Sequence, residues 1–395
     1  MILKSIKYCR NNDEENEWSI SNPTGEKFLD LNQVNLIVGR NASGKTKTIN
    51  IIREISDLLA GDTKLSELIR NTSKYELIFE DTNEKIEYFL DFKEGKVVQE
   101  TLKINDEHEK LNRKDNKLFY EGFNQYAKFN TDDDSLTDDD SLTVPLMQQN
   151  TVQHPFFKKL YYWGKNLNHY RFGDTLGKND LLRDINKVKE NDKDDLKDGN
   201  EVTKIFVKGK KLFGKKFVEL IKNDMENLNY SIIKVDVNVL KYLPIGFGLH
   251  VKEVELNTET DQIEMSQGMF RALSLLIQLN YSLLAQTPSC ILIDDIGEGL
   301  DYERSKALID LIIEKVKGSS VQVIMTTNDQ FVMDKVPLEY WQVIKRKNGK
   351  AVFYNYKNSQ QNFDDFAFTG LNHFDLYTSE FFIHGFDDYV KDVTP

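Results

Sequence analysis

Val34-Asn35-Leu36-Ile37-Val38-Gly39-Arg40-Asn41-Ala42-Ser43-Gly44-Lys45-Thr46 is an apolar run that empties into a glycine-framed loop. The pattern predicts strand, loop, helix. Gly39 and Gly44 stand where the backbone must curl so that successive N–H groups point inward, and the loop ends at a helix N-terminus whose partial positive charge favours phosphate. The GxxxxGKT spacing predicts that residues 39–46 cradle phosphates, with Arg40, Asn41, Ala42 and Ser43 completing the backbone curl. Lys45 is expected to reach the β- and γ-phosphates, and the Thr46 hydroxyl to take a place on Mg²⁺. Downstream, Ile49, Ile52, Ile55, Leu58 and Leu59 recur at helical spacing to Ala60, and Gly61 supplies the stop.

The bulk composition narrows the class. A chain of 395 residues with 39% hydrophobic and 11% aromatic residues can bury a sizeable core, as one large domain with insertions or as two. No apolar run approaches the roughly 18 residues that a membrane span needs. The opening MILKSIKYCR alternates like a strand and carries no long apolar segment with a cleavage site, so a cytoplasmic location is expected. Cys9 and Cys290 are the two cysteines, too few for a disulfide framework or a metal site, and both read as buried small hydrophobes. A net charge of −12 argues against a protein that coats nucleic acid over its whole surface, although a local basic patch remains open.

Around the loop, three short strands are expected at Ile2 to Tyr8, Glu17 to Ile20 and Val34 to Val38. After the loop helix, residues 75–80 and 85–90 flank a turn at 81–84, a hairpin pattern, and a third strand is expected near Lys96 to Ile104. Together these predict a small antiparallel layer beside the main sheet. Residues 131–142 repeat Thr-Asp-Asp-Asp-Ser-Leu twice with six aspartates, without the glycine and terminal glutamate of an EF-hand loop, and read as a solvated loop. Gln148 and Gln149 are both open as the glutamine that senses a γ-phosphate. From about Gly177 to Tyr230 the composition turns charged and helix-forming. Lys204, Lys208, Lys210, Lys211, Lys215, Lys216 and Lys222 cluster there, interleaved with Phe206, Phe213 and Phe217. This segment reads as a patch for phosphate backbone or an acidic protein, or as the wet face of an amphipathic helix.

Further parts of an ATPase site follow in order. Cys290-Ile291-Leu292-Ile293-Asp294-Asp295 is an apolar strand ending in two carboxylates. Asp294 is expected to hold Mg²⁺ through water at the strand end beside the loop, and Asp295 to orient the attacking water, since phosphoryl transfer needs positioning and charge stabilisation. Glu298 is the nearest alternative acid. Upstream, Ser266 and Gly268 open a long apolar helix from Phe270 to Leu284, a second place where backbone donors favour an anion. Downstream, Gly299-Leu300-Asp301 leads into a helix from Tyr302 to Val316. A strand from Val321 to Met325 then delivers Thr326-Thr327-Asn328-Asp329.

GRNASGKT, MSQGM, ILIDDIGEGLD and MTTND together resemble the ATP-binding-cassette ATPases of the SMC and RecF type, over roughly residues 1–60 and 230–360. The fold that this resemblance implies is α/β, an ABC-ATPase P-loop core with an antiparallel β layer and a helical insertion. The cofactors it implies are ATP and Mg²⁺. In that family two protomers sandwich ATP, so Ser266 would face the loop of a second chain, with Gly268 and Asp301 lining the same nucleotide. Three departures stand out. Asp295 replaces the usual glutamate and is one methylene shorter, Asn328 stands where a switch histidine is common and cannot titrate, and Gln267 replaces a signature glycine. These imply a nucleotide-gated switch with slow hydrolysis.

SQGMFRALSLL, IDDIGEGLDYERS and TTNDQFVMDKVPLEYW further resemble the stand-alone AAA-type ATPases of bacterial anti-phage operons, the PARIS-type systems among them. That resemblance implies a homo-oligomer that holds a separately encoded effector, often a Toprim-type nuclease, and releases it when a phage protein is sensed. A RecF-like repair head binding DNA across an ATP-sandwich dimer is the alternative, with a transporter nucleotide-binding subunit third. The expected division is an ATPase core at 1–130 and 231–360, an acidic loop and lysine-rich insertion at 131–230, and an extension at 361–395. His373 and His384 in that extension read as packing or surface histidines.

Overall fold

A computed structural model describes residues 1–386 except 12–16, 26–27, 106–107, 116, 122–123, 129–138, 149–151, 175, 190–197, 242–245, 287 and 348. The chain forms two compact units, residues 1–167 with 338–395, and residues 168–337. In the first, β1 (Ile2–Arg10), β2 (Trp18–Ser21) and the short β3 (Leu29–Asp30) lead to β4 (Val34–Val38), every residue of which is buried. Cover on both faces is why β4 reads as a near-continuous apolar run. Its one polar member, Asn35, is satisfied locally, accepting from the Asn32 N–H at 2.8 Å and donating to the Asn32 carbonyl at 2.7 Å. Helix α1 (Lys45–Ala60) buries the expected isoleucine and leucine stripe and stops at Gly61, whose φ of 70° lets the last N–H groups turn back onto Leu58 and Asp57.

The hairpin expected after α1 forms as β5 (Ser73–Asp81) and β6 (Glu84–Lys93), and the antiparallel run continues through β7 (Lys96–Ile104), β8 (His108–Asn112), β9 (Lys117–Tyr120) and β10 (Gln125–Lys128). The expectation of a separate small layer is corrected here. Residues Ile2–Arg10 of β1 pair antiparallel along the length of β5, so these strands extend one sheet. Alternation in β6 sends Ile86, Tyr88, Leu90 and Phe92 inward. The fully buried carboxylate of Glu100 on β7 accepts from Tyr88 at 2.8 Å and from the Thr143 hydroxyl at 2.7 Å, which pins the start of α2 (Thr143–Met147). Helix α3 (Pro155–Lys165) packs against α1 where a Cβ on Gly164 would lie 2.6 Å from the Ser56 carbonyl. Of the aspartate duplication, 131–138 lie outside the described residues, as does Gln149. Asp140 accepts from Ser66 at 2.6 Å, and Gln148 caps α2.

The second unit starts along β11 (Leu167–Arg171). The helical insertion expected from Gly177 is shorter than its composition implied. The described part of 177–201 holds turns and one short 3₁₀ segment, and α4 (Val202–Asn227) carries the helix, kinked at Gly214. Aspartates and asparagines at 179–186 compete for backbone donors in turns, as Asp184 does by accepting from the Asn186 N–H at 2.9 Å, which keeps those residues out of α-helix, while most of the charged run 187–197 lies outside the described residues. A three-stranded sheet, β12 (Ile232–Val239), β13 (Phe247–Glu253) and β14 (Thr260–Asp261), precedes α5 (Gln267–Ala285), which is buried along nearly its whole length. Parallel strands β15 (Ser289–Asp294) and β16 (Val321–Thr327), buried throughout, bracket α6 (Tyr302–Val316) and lead to α7 (Gln330–Lys335). The lysines of α4 spend much of their charge locally. Lys204 pairs with Glu201, Lys210 with Asp236 and Lys222 with Glu219, while Lys211 donates to the Val188 carbonyl.

The chain then returns to the first unit. β17 (Trp341–Lys347) lies parallel to β4, with Val343 opposite Val38, and pairs antiparallel with β18 (Lys350–Asn355), which runs parallel to β2. Helices α8 (Gln360–Ala367), α9 (His373–Thr378) and α10 (Phe381–His384) finish the described chain. The His373 ring meets Trp341 edge-on at 6.0 Å, a packing contact. No described helix is long and apolar enough to cross a membrane.

One buried polar clasp ties three helices of the second unit together. Asp224 on α4 accepts from Asn280 on α5 at 2.6 Å and pairs with Lys315 on α6 at 2.9 Å. Burial raises the Asp224 carboxyl above its ordinary range despite these partners. Asp224→Ala is expected to cost about 3 kcal/mol, because it strands the Lys315 ammonium and the Asn280 amide. Chemical denaturation checks this, and an unchanged midpoint would show that water satisfies the two groups.

Candidate functional site

The loop of the first unit curls as its glycines require. Ala42 and Gly44 take left-handed φ values of 61° and 113°, which turns successive N–H groups to one side. Gly39 is demanded by close approach, since a Cβ there would lie 2.5 Å from Ile344 Cγ2 on β17. The Lys45 ammonium, 7% exposed, folds back onto the carbonyls of Gly39 at 2.7 Å and Arg40 at 3.3 Å. The Ser43 Oγ is buried without a hydrogen-bond partner, and Thr46 is exposed at the first turn of α1. A buried hydroxyl left unsatisfied costs about 1–3 kcal/mol, and in a loop of inward N–H groups with a lysine across them it fits a polyphosphate. Arg40 and Asn41 are exposed at the loop's crest.

Beside the loop stands a pair that no motif announced. Lys47, just after the GKT, places its Nζ 3.8 Å from the Trp18 ring, and Trp18 lies 3.4 Å from where a Cβ of Gly44 would be. Burial, with Arg70, Arg10 and Arg346 nearby, lowers the Lys47 amine to about 8. The signal for Lys47 was its adjacency to the motif. For Trp18 there was none, because only the pairing of strands brings residue 18 to residue 44.

In the second unit, β15 and β16 end side by side and join their polar ends. Thr326 on β16 donates its hydroxyl to Asp294 and accepts the Asp295 N–H at 2.9 Å. Asn328 donates to the Asp295 carboxylate at 3.3 Å. Asp294 is 6% exposed, and Asp295 is half-buried in a left-handed conformation, φ 56°, that breaks the strand and turns the following chain. Strained backbone of this kind persists where surrounding contacts fix it, and it gathers at functional sites. The motifs of the sequence point to Asp294, Asp295 and Asn328. They pass over Thr326, the hydroxyl that links the two aspartates.

Ser266 is exposed and caps α5, its Oγ accepting from the Met269 N–H at 3.2 Å. Gly268 has a packing reason, because a Cβ would lie 2.6 Å from the Gly299 carbonyl. Arg271, one turn on and 6% exposed, donates to the carbonyls of Glu298 at 2.8 Å, Gly173 at 2.7 Å and Asp174 at 3.3 Å. It thereby fixes the 297–301 turn against α5. Glu298 is exposed and directs its carboxylate at the Gly173 backbone, and Asp301 caps α6 by accepting from the Arg304 N–H at 3.0 Å. Among the described residues no cluster of His, Cys, Asp and Glu holds metal-ligand geometry, so any cation here would rest on isolated oxygen donors such as Asp294 together with its ligand's own oxygens.

The lowered Lys47 amine gives a pH test. Because its folded value lies below the ordinary 10.5, the folded state disfavours the ammonium, and this group's contribution to stability improves as pH rises from about 8 towards 10.5. Brief acylation at pH 8 followed by peptide mass spectrometry is expected to label Lys47 ahead of lysines on the open surface. Uniform labelling would place Lys47 in ordinary solvent.

No curated protein matches the chain significantly. Among solved structures, an SMC head bound to the C-winged helix domain of ScpA aligns at 14% identity with a TM-score of 0.53, covering 91% of this chain and 100% of that one. An SMC head with an extended coiled coil bound to the C-terminal domain of ScpA, from Pyrococcus furiosus, aligns at 13% identity and a TM-score of 0.49, covering 92% and 99%. The first of these shows the fold, that of an ABC-type P-loop ATPase head, as the loop and the two-aspartate strand implied. A family model described as an AAA domain, putative AbiEii toxin, type IV TA system matches residues 34–334, and the chain belongs to that family.

Proposed function

We propose that the protein is an ATP-binding and slowly hydrolysing switch that associates with copies of itself and controls a separately encoded effector in bacterial anti-phage defence. The observation that carries the nucleotide part is the linked set Asp294, Thr326, Asp295 and Asn328 at the carboxyl ends of two buried parallel strands, where open α/β sheets bind ligands. The backbone N–H groups of residues 39–46 and the Lys45 ammonium bind and orient the phosphates of ATP. Thr46 and Asp294 would hold Mg²⁺, which when bound neutralises charge on the phosphates. Asp295 orients the attacking water, and Asn328, by donating to it, fixes the carboxylate's direction without taking the proton. A short side chain held by a neutral amide favours slow turnover.

Association is drawn from the exposed Ser266 at the head of α5, whose N–H groups and dipole suit a phosphate presented by a second chain. The effector, with a Toprim-type nuclease as the leading class, and a phage protein as trigger are carried over from the operon resemblance alone. The nucleic-acid reading draws little support from the lysine segment, since Lys204, Lys210 and Lys222 are paired to acids.

Three variants test the reading. Lys45→Ala is expected to weaken ATP binding by at least tenfold in equilibrium titration. Asp295→Asn is expected to keep binding and lose turnover by about a hundredfold, the scale of one removed transition-state contact; unchanged phosphate release would assign the water to another acid. Ser266→Trp is expected to abolish ATP-dependent association in size-exclusion chromatography with light scattering while the melting profile stays as in wild type. Intact association would remove the sandwich arrangement.

A further inference from the structure

The extension after β18 touches the loop itself. Glu380 sits between α9 and α10 with φ 56° and ψ 26°, a left-handed conformation that a glutamate rarely adopts. The side chain so directed reaches two cations. One carboxylate oxygen lies 2.7 Å from the Lys345 ammonium on β17, and the other lies 3.7 Å from the Arg40 guanidinium, the second residue of the phosphate loop. Tyr377 on α9 borders the same cavity as Arg40, and the guanidinium charge acts on its phenol. These groups border a cavity of about 250 Å³ whose other wall is the loop segment Arg40 to Ser43. Arg40 is otherwise open to solvent, its side chain 79% exposed, so these two residues of the extension are what orients it.

We infer that Glu380 is a positioning residue for the phosphate loop, holding the Arg40 guanidinium towards the C-terminal helices so that this extension sets how much positive charge the loop offers a bound nucleotide. The inference rests on the reading of residues 39–46 as an ATP site. A guanidinium paired with a carboxylate presents little net charge to an approaching triphosphate. When the carboxylate charge is removed, Arg40 and Lys345 face the loop's flank uncompensated, and an anion gains. Anything that moves α9 and α10 would therefore act on nucleotide affinity through one side chain, and a partner bound to these helices would sense the nucleotide through the same link.

The test is a double-mutant cycle on the full chain, read by titration with a fluorescent ATP analogue. Glu380→Gln is expected to tighten binding about threefold at low salt, the scale of a partly exposed ion pair, and the gain should fade as salt is raised. In an Arg40→Ala background the same substitution is expected to give a clearly smaller gain, that of the freed Lys345 alone. Tyr377→Phe, which keeps the ring, should shift affinity the same way by a smaller factor and serves if Glu380→Gln does not fold. Equal tightening with and without Arg40, or weaker binding in both extension variants, would overturn the inference. Lys45→Ala is run alongside. Wild-type affinity in that variant would sink the ATP reading and this inference with it, whereas a Lys45 loss with a flat cycle would sink the inference alone.

Discussion

A strand covered on both faces has only its end at which to offer polar groups, and the chemistry of this protein depends on that constraint. β4, β15 and β16 are buried residue by residue, and each runs apolar through 36–38, 290–293 or 323–325 before the chain turns abruptly polar. The transition is where the backbone must leave the sheet. At β4 it does so through Gly39, Ala42 and Gly44. At β15 the left-handed Asp295 makes the turn, its N–H held by Thr326. Carboxylates placed at such a boundary meet a local dielectric between core and water, where hydrogen bonds to them gain strength.

Close approaches do the rest of the positioning. Gly268 and Gly299 let the head of α5 and the turn after β15 come within contact distance, and Arg271 locks that contact with three carbonyls. A guanidinium suits this place because its planar fork of donors can satisfy several backbone acceptors at once. The same logic explains Gly164 at the α1 and α3 crossing, where a Cβ would lie 2.6 Å from the Ser56 carbonyl.

The segments that vary most in composition are tied down by apolar burial on their inner side and by ion pairs at their edges. The lysine-rich helix α4 is anchored by Phe206, Phe217 and the Asp224 clasp on its inner side, and Lys204, Lys210 and Lys222 are matched to nearby acids. The extension after β18 is held by an aromatic cluster of Phe363, Phe366, Phe381 and Phe382, with Glu380 reaching the loop from its edge.

The sequence by itself determined the elements whose signal is local. GxxxxGKT fixed the loop and α1, since its glycines, lysine and following isoleucines carry their reason within sixteen residues. The apolar run into Asp294 and Asp295 fixed β15, and the Ser266 and Asp301 caps fixed two helix starts. Residues 177–189 form turns and a short 3₁₀ segment where the composition suggested helix, because charge patterning does not report the turns that their asparagines and aspartates prefer. The antiparallel strands were seen one by one, yet their union into one sheet through β1 and β5 was not, because strand partners are chosen by burial of a shared face. Trp18 beside Gly44, Thr326 between two aspartates, Arg271 on three carbonyls and Glu380 on Arg40 were decided only by the tertiary structure. Each joins residues far apart in the chain, and such contacts exist only once packing has closed the loops between them.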